Sequence, residues 1–486
     1  MCTNTTGANN TAIGRLSLKE NTTGSENTAL GRSALTETTT GAQNTAVGHF
    51  ALACNTTCGN LTAVGYGALC ANTTGTNDTA MGHASLDANT SGSDNVAFGT
   101  NTLGANTSGG NNTAIGSCAL QANTTASDNT AVGLRTLLAN TTGAKNTAVG
   151  HIALSCNTTG DENTAIGRSA LFTNTTGGQN VAVGRLSMFS TTTAINNTAV
   201  GLETLCANTT GSDNTAIGRG ALTKNTTGTP NTAVGSLALA CNTTGANLTA
   251  VGRLALKTNT TGNYNVAVGM DSLTSNSNGD ENTAVGNEAL CKSTTAGCNT
   301  AVGLQSLFNN TTGETNTAVG RKALLSNTTA GCNTAIGYHS LCSNTTGACN
   351  TAVGRDTLLA TSTGVNNTAI GKTSGSIMAT GNNNTFLGYD AQPTNSSVSN
   401  QITLGNSNND NLRCNDTSIS SLSDLRDKTN IEDIPHGLDY ILAMRPVKFD
   451  WNSKRWNCKR FKRLWVYCTR IRSSRRRFWI VQNIQD

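Results

Sequence analysis

Proline is nearly absent from this chain, with 4 in 486 residues, and aromatic residues make up only 4%. Charged residues reach 12% and the formal net charge is +5. The length alone would suggest two to four globular domains, but so few aromatic and charged residues exclude an ordinary set of compact cores. The small net charge separates the chain from typical disordered sequences. No apolar run approaches the roughly 18 residues of a membrane span, so membrane insertion is not expected. The first twenty residues lack a basic start followed by an apolar stretch, and no secretory signal is expected there. Asn, Thr, Ala and 52 Gly fill the chain instead, and they do so periodically.

Asn-Thr-Ala-Ile-Gly begins at Asn10 and Asn-Thr-Ala-Leu-Gly at Asn27, and related strings continue through Asn44, Leu61, Asp78 and Asn95 to Asn367, Asn384 and Gln401. The step is always 17, which gives 24 copies with no insertion. The consensus is N-T-A-(V/I)-G-x-x-(A/S)-L-x-x-N-T-T-G-x-x. Its fifth position is Gly from Gly14 to Gly405, and its fourth is always apolar, as in Ile13, Leu30, Val47, Met81 and Phe98. The ninth is Leu or Met from Leu18 to Leu358, and lapses at Gly375, Gln392 and Asn409. The third is Ala until Phe386 and Thr403, so the repeat degrades at its C-terminal end. In the earlier copies charges occupy positions 6, 7, 10, 11, 16 and 17, with Asp78 at position 1 the exception. Because unpaired buried charge is costly, those six positions are expected to face solvent and form the contact surface.

A short Thr-Ala-Val segment, an invariant Gly and an N-T-T-G turn fit one coil of a parallel β-solenoid. Val and Ile favour strands, and Gly permits corner conformations that a side chain forbids. Asn and Thr stacked on their own copies form hydrogen-bonded ladders. Helical repeats fit poorly, since Gly and Thr suppress helices, and the dense Leu spacing of leucine-rich repeats is missing. The expected fold is therefore all-β: a parallel β-solenoid of 17-residue coils with a small α+β C-terminal remnant. At the strand spacing of about 4.8 Å, such a rod is roughly 115 Å long. Small Ala at position 3 beside a larger residue at position 4 suggests two buried faces, one inside the chain and one between chains around a symmetry axis. A homotrimer is expected, with a monomeric solenoid as the alternative.

The Asn-Thr-Ala-Val-Gly core resembles the heads of trimeric autotransporter adhesins and the shafts of phage tail fibres. The resemblance covers residues 10–405. It implies a virion tail fibre whose partners are two further copies of itself, a host surface receptor of glycan or protein, and a virion attachment protein. A cellular surface adhesin, located extracellularly, is the alternative, and a glycan-degrading tailspike a minor one. A glycan hydrolase needs paired carboxylates at a fixed separation, whereas the acids here are dispersed through solvent positions.

Sixteen Cys invite a disulfide or metal reading. Cys70, Cys206, Cys291 and Cys342 lie at position 10, Cys54, Cys156 and Cys241 at position 11, and Cys298, Cys332 and Cys349 at position 17. These variable slots are expected to be exposed and to hold free thiols from a reducing cytoplasm. Only Cys332 and Cys349 share a slot in adjacent coils, where a bridge is conceivable. Cys54 and Cys58 have no partners at zinc spacing. His49, His83 and His151 share position 6 in separate coils, which reads as a ladder slot. No metal and no cofactor is expected. The Asn-Thr-Thr sequon recurs because the coil recurs, and glycosylation is not expected.

After Gly405 the period stops. Residues 1–9 read as an N-terminal lead, 10–405 as the repeat shaft, 406–422 as a linker, 423–451 as the start of a further domain and 452–486 as a basic tail. Ser423–Ile431 reads Ser-Asp-Leu-Arg-Asp-Lys-Thr-Asn-Ile, and Gly437–Leu442 and Arg445–Trp451 follow. Spacing alone favours Ser423 as a helix cap with Asp424 in the first turn. The run nevertheless resembles the intramolecular chaperone domain that ends endosialidase tailspikes and many phage fibres, with Ser-Asp-x-Arg-x-Lys-x-Asn-Ile, an amphipathic helix and a Pro-x-x-Phe-x-Trp strand in order. The resemblance implies trimer registration followed by self-cleavage between Leu422 and Ser423, with Ser423 the nucleophile and Lys428 its base. A lysine serves as base only where burial lowers its pKa, and residues five apart share no helix face, so a loop or a neighbouring chain must bring them together. No other enzymatic act is expected.

Residues 452–486 carry eleven Lys and Arg, with Asp486 their only acid, and all four Trp lie at Trp451 or later. A basic nucleic-acid or membrane-binding tail is one reading. The other fits better, and no nucleic-acid partner is expected. The chaperone family has Gly-Phe-Ile-Ala-Gln-Glu downstream. Trp465–Ile471 can be encoded TGG-GTT-TAT-TGC-ACA-AGA-ATT, and dropping the first base yields that motif. The tail is therefore read as out of frame, with the frame change between Trp451 and Trp465, which leaves the chaperone domain incomplete.

Overall fold

The computed structural model describes residues 3–411 and 413, together with the backbones of 444–448 and 464–468. Its first unit carries 24 short parallel strands, β1 (Thr11–Ile13) to β24 (Ile402–Leu404), one in each coil. Successive strands pair in register one repeat apart. Ile166 in β10 (Thr164–Ile166) lies between Val149 of β9 (Thr147–Val149) and Val183 of β11 (Val181–Val183). The fold is the parallel β-solenoid expected from the period, and no helix occurs among the described residues.

Each coil is tied to its neighbours in both directions. The position 5, 7 and 17 amides donate to the preceding coil, as in Gly184 N–H to the Ile166 carbonyl at 2.7 Å and Gln179 N–H to the Asp161 carbonyl at 3.0 Å. The position 2, 9, 11 and 13 amides donate to the following coil, as in Leu171 N–H to Ser187 at 2.9 Å. Every winding is therefore a layer of a continuous hydrogen-bonded stack.

The core is one Leu and two small residues wide. Leu154, Leu171 and Met188 at position 9, and Ala148, Ala165 and Ala182 at position 3, are fully buried. The side chain at position 4 points the other way: Ile166 is 40% exposed and Ile217 41%. Of the two apolar faces expected from the sequence, the chain itself buries only the position 3 face. The C-terminal lapses leave the core filled. Phe386 is fully buried, and its ring approaches the place of a Cβ on Gly375 to 2.8 Å. A large side chain at position 3 thus fills the space vacated where position 9 has lost its Leu.

Position 5 requires glycine. Gly167 has φ +133°, and a Cβ there would lie 2.7 Å from the carbonyl of Gly184 in the next coil. Conformation and contact both exclude a side chain. Position 15 is less strict. A Cβ on Gly211 would come within 2.7 Å of the Gly228 carbonyl oxygen, but without a left-handed φ, and Ala126, Ala194, Ala296, Ala330 and Cys58 occupy the same slot elsewhere.

The second unit, residues 411–486, has a described two-stranded antiparallel sheet. In it β25 (Met444–Lys448) pairs with β26 (Leu464–Cys468), Pro446 opposite Val466.

Candidate functional site

Two buried asparagine ladders run the length of the solenoid. At position 12, the Asn174 amide donates to Asn157 Oδ1 at 2.8 Å and to the Gly177 carbonyl of its own turn at 2.8 Å. At position 1, Asn163 N–H donates to Asn146 Oδ1 at 2.9 Å, while its Nδ2 donates to the Gly177 carbonyl at the end of the same coil at 2.9 Å. Asn157, Asn163 and Asn174 are fully buried. The position 12 Asn is also the sequon residue, and its amide nitrogen is enclosed and already engaged.

The ladders have defects. Leu61 and Leu248 replace Asn at position 1 and are buried without an amide. Thr38, Thr191, Ser293, Thr361 and Met378 replace Asn at position 12. Thr38 and Thr361 keep one link each, donating to the Asn55 and Met378 carbonyls at 2.9 and 3.1 Å. Asp78 follows Leu61. It is fully buried, accepts from Asn95 N–H at 2.8 Å and from Asn89 Nδ2 at 3.2 Å, and burial pushes its carboxyl up to about 7. The one charge that broke the periodic rule therefore sits inside the ladder.

The outer surface carries stacked rows rather than a cleft. At position 6, Tyr66 stands between His49 and His83, with ring centroids 5.3 and 5.2 Å away. His151 lies several coils further on, so the three histidines share a row without converging. Among the described residues no group of three or more His, Cys, Asp or Glu is placed to hold a metal ion. In the same row Tyr338 lies between the Arg321 and Arg355 guanidiniums, at 5.8 and 5.6 Å. Burial holds the adjacent His339 below its ordinary pKa against the pull of Asp356. An open groove runs between coils where Leu134, Arg135, Leu138, His151, Ile152 and Phe172 meet. The position 4 row is different in character. It is apolar in every coil and continuous along the stack, a strip of Val and Ile broadened by exposed Leu134, Leu202 and Leu304 at position 6.

The cysteines are less exposed than their slots suggested. Cys298, Cys332 and Cys349 at position 17 are exposed, but Cys54, Cys70, Cys156, Cys206, Cys241, Cys291 and Cys342 are half-buried and Cys58 is buried. Positions 10 and 11 flank the core Leu, and neighbouring coils shield them from both sides. All twelve described cysteines are free thiols. Cys332 Sγ lies 3.2 Å from Thr315 Oγ1. Same-slot reasoning missed the diagonal contact of Cys54 with Cys70, the signal for which is a Cys at position 11 followed by a Cys at position 10 one coil later.

The sites expected from the C-terminal motifs, Leu422, Ser423 and Lys428, lie outside the described residues. Of the strands expected there, β25 covers Arg445–Lys448, the start of the Pro-x-x-Phe-x-Trp segment. Residues 423–460 match the family described as the chaperone of endosialidase. The match begins at Ser423, where the motif reading placed the start of the domain, and stops short of the last part of the basic tail. An intramolecular-chaperone segment thus follows the solenoid. No curated protein matches this chain. Among the described residues no helix is long and apolar enough to cross a membrane.

Proposed function

We propose that this chain is a structural fibre of a virus or phage tail that attaches to a host surface. In this reading three copies assemble with their position 4 rows packed around a common axis. The observation that carries it is the endosialidase-chaperone match directly after a 24-coil solenoid. The physics of the rod supports the pairing. Near-identical coils slip past one another by a whole repeat at little cost, and an end coil offers an unpaired edge. A C-terminal trimerising nucleus removes both problems by fixing register before the shafts zip together. The exposed apolar row supports a multi-chain shaft, because monomers rarely expose contiguous apolar patches beyond a few hundred Å².

Ser423 then acts as nucleophile on the Leu422–Ser423 bond, with Lys428 as its base, and cleavage makes assembly kinetically irreversible. In the present chain the tail is out of frame and the chaperone domain incomplete. The family match stops at residue 460, inside the interval between Trp451 and Trp465 where the frame change is inferred. The rows at positions 6, 7, 16 and 17, with the outer parts of the half-buried positions 10 and 11, are the host-contacting surface.

The test is expression of the full chain with its reading frame repaired, followed by native mass measurement. The expected result is three shafts per particle and release of a fragment beginning at Ser423, with Ser423→Ala left uncut. A monomeric or uncut product from the repaired chain would contradict the proposal.

A further inference from the structure

Cys54 and Cys70 belong to successive coils, at position 11 of one and position 10 of the next, and their backbones are joined by Cys54 N–H donating to the Cys70 carbonyl at 3.1 Å. Their side chains are near enough for each thiol to bear on the ionisation of the other. Adjacent coils at the strand spacing of about 4.8 Å bring such diagonal neighbours inside the Cα separation of about 4.4–6.8 Å that a disulfide needs. Both side chains are half-buried, so a small oxidant reaches them. The third cysteine of this stretch, Cys58, is buried and its thiol donates to the Thr73 carbonyl at 3.1 Å.

The place of the pair in the ladders gives it a purpose. Thr38 interrupts the position 12 ladder in the coil before Cys54, and Leu61 interrupts the position 1 ladder in the coil that contains Cys70. Thr38 offers the Asn55 side-chain amide no Oδ1 acceptor, and Leu61 offers none to the Asp78 N–H that follows. The two defects lie two windings apart and flank the interface between the two cysteine-bearing coils. Across that interface Leu61 N–H still donates to Asn44 Oδ1 at 3.1 Å and Asn72 Nδ2 to Asn55 Oδ1 at 3.4 Å.

We propose that Cys54 and Cys70 are an inter-coil redox staple, reduced when the chain folds and oxidised to a disulfide afterwards. In the oxidation the two thiols give up two protons and two electrons, the Sγ–Sγ bond forms, and a small disulfide oxidant such as oxidised glutathione is cleaved to two thiols. The bond ties the coil of residues 44–60 to that of 61–77, between the two interfaces where the asparagine ladders lose a link. Burial and then the Glu37 carboxylate push the Cys54 thiol up, and burial, then Cys54 and Asp87, do the same for Cys70. With little thiolate near neutral pH, exchange on the folded rod is slow.

The test uses the full chain, incubated with oxidised or reduced glutathione, alkylated and cut with chymotrypsin, which cleaves after Tyr66 and separates the two cysteines. The expected result is a Cys54–Cys70 linked peptide, two hydrogens lighter than its reduced parts, in the oxidised sample alone. Amide exchange across residues 27–77 is expected to slow by about threefold or more on oxidation, and to be unchanged by oxidation in Cys54→Ser. Separate glutathione adducts on the two cysteines, persistent free thiols, or a linked peptide with unaltered exchange would each overturn the proposal.

Discussion

Asn163 and Asn174 meet on a single acceptor: both side-chain amides donate to the Gly177 carbonyl oxygen, at 2.9 and 2.8 Å. Asn163 reaches it from position 1 and Asn174 from position 12 of the same coil. One backbone carbonyl is thus the point where the two ladders join. This junction explains why N-T-T-G and N-T-A-V-G are locked into one period. Each half of the repeat satisfies the other's buried polar atoms.

Replacement of Asn174 by Ala removes two donated bonds from a buried site and leaves Asn157 Oδ1 without this donor. A loss of about 1–3 kcal/mol is expected, read as faster amide exchange around Gly177. Asn174→Thr is expected to cost less, because Thr38 and Thr361 hold the same slot natively and donate to the next coil. Equal losses for the two variants would show that the ladder geometry is not what stabilises the turn.

Gly218→Ala and Gly211→Ala separate conformation from contact. Gly218 has φ +125° and would set a Cβ 2.7 Å from the Gly235 carbonyl, so a cost of about 2–5 kcal/mol is expected, with local loosening of β13 (Thr215–Ile217) and β14 (Asn231–Val234). Gly211 occupies the slot that Ala126 and Ala194 fill elsewhere, and its Ala variant is expected to stay within about 1 kcal/mol of the parent. Thermal melts and strand-specific exchange check both.

Asp78 gives the rod a pH signature of defined sign. Its folded-state carboxyl is pushed up to about 7 from 3.8, so between those values the folded chain holds the proton more tightly than the unfolded chain. Stability of the coils around Asp78 is therefore expected to fall as pH rises from about 4 to 7. Asp78→Asn restores the ladder amide and removes this dependence. The variant is expected to be more stable than the parent by roughly 1–3 kcal/mol at pH 8 and nearly equal to it at pH 4. Exchange rates for residues 78–95 at the two pH values decide the matter.

The position 4 row is placed to carry assembly without carrying the fold. Ile166→Asp with Ile217→Asp changes two side chains that are already 40% and 41% exposed. The β-rich circular dichroism of the solenoid is expected to survive, while the frame-repaired chain shifts from three copies towards one in native mass. Retained trimers would place the inter-chain contact elsewhere.

Much of this was legible in the sequence, because a solenoid repeats its chemistry at a fixed step and each slot declares its environment. The period, the apolar slots and the glycine corner could all be read directly. Three features could not. Leu154, Leu171 and Leu205 adopt left-handed φ values of 51–53°, as do the position 7 and 17 residues. Nothing about Leu announces this, since the conformation costs about 1–2 kcal/mol and is imposed by amide bonds to the adjacent coil. Position 4 read as apolar, but only the strand's alternation shows that it faces outward when Ala165 faces in. The Cys54–Cys70 contact is diagonal across coils and escapes a search restricted to identical slots. Ser423 and Lys428 rest on motif order and on the family match, which a β-period does not reach.

The most direct measurement is cryo-electron microscopy of the particle. The account predicts a rod of roughly 115 Å with an axial layer spacing near 4.8 Å, in which Val149, Ile166 and Val183 stand one above another. A compact globule, or a fibre without that spacing, would contradict it.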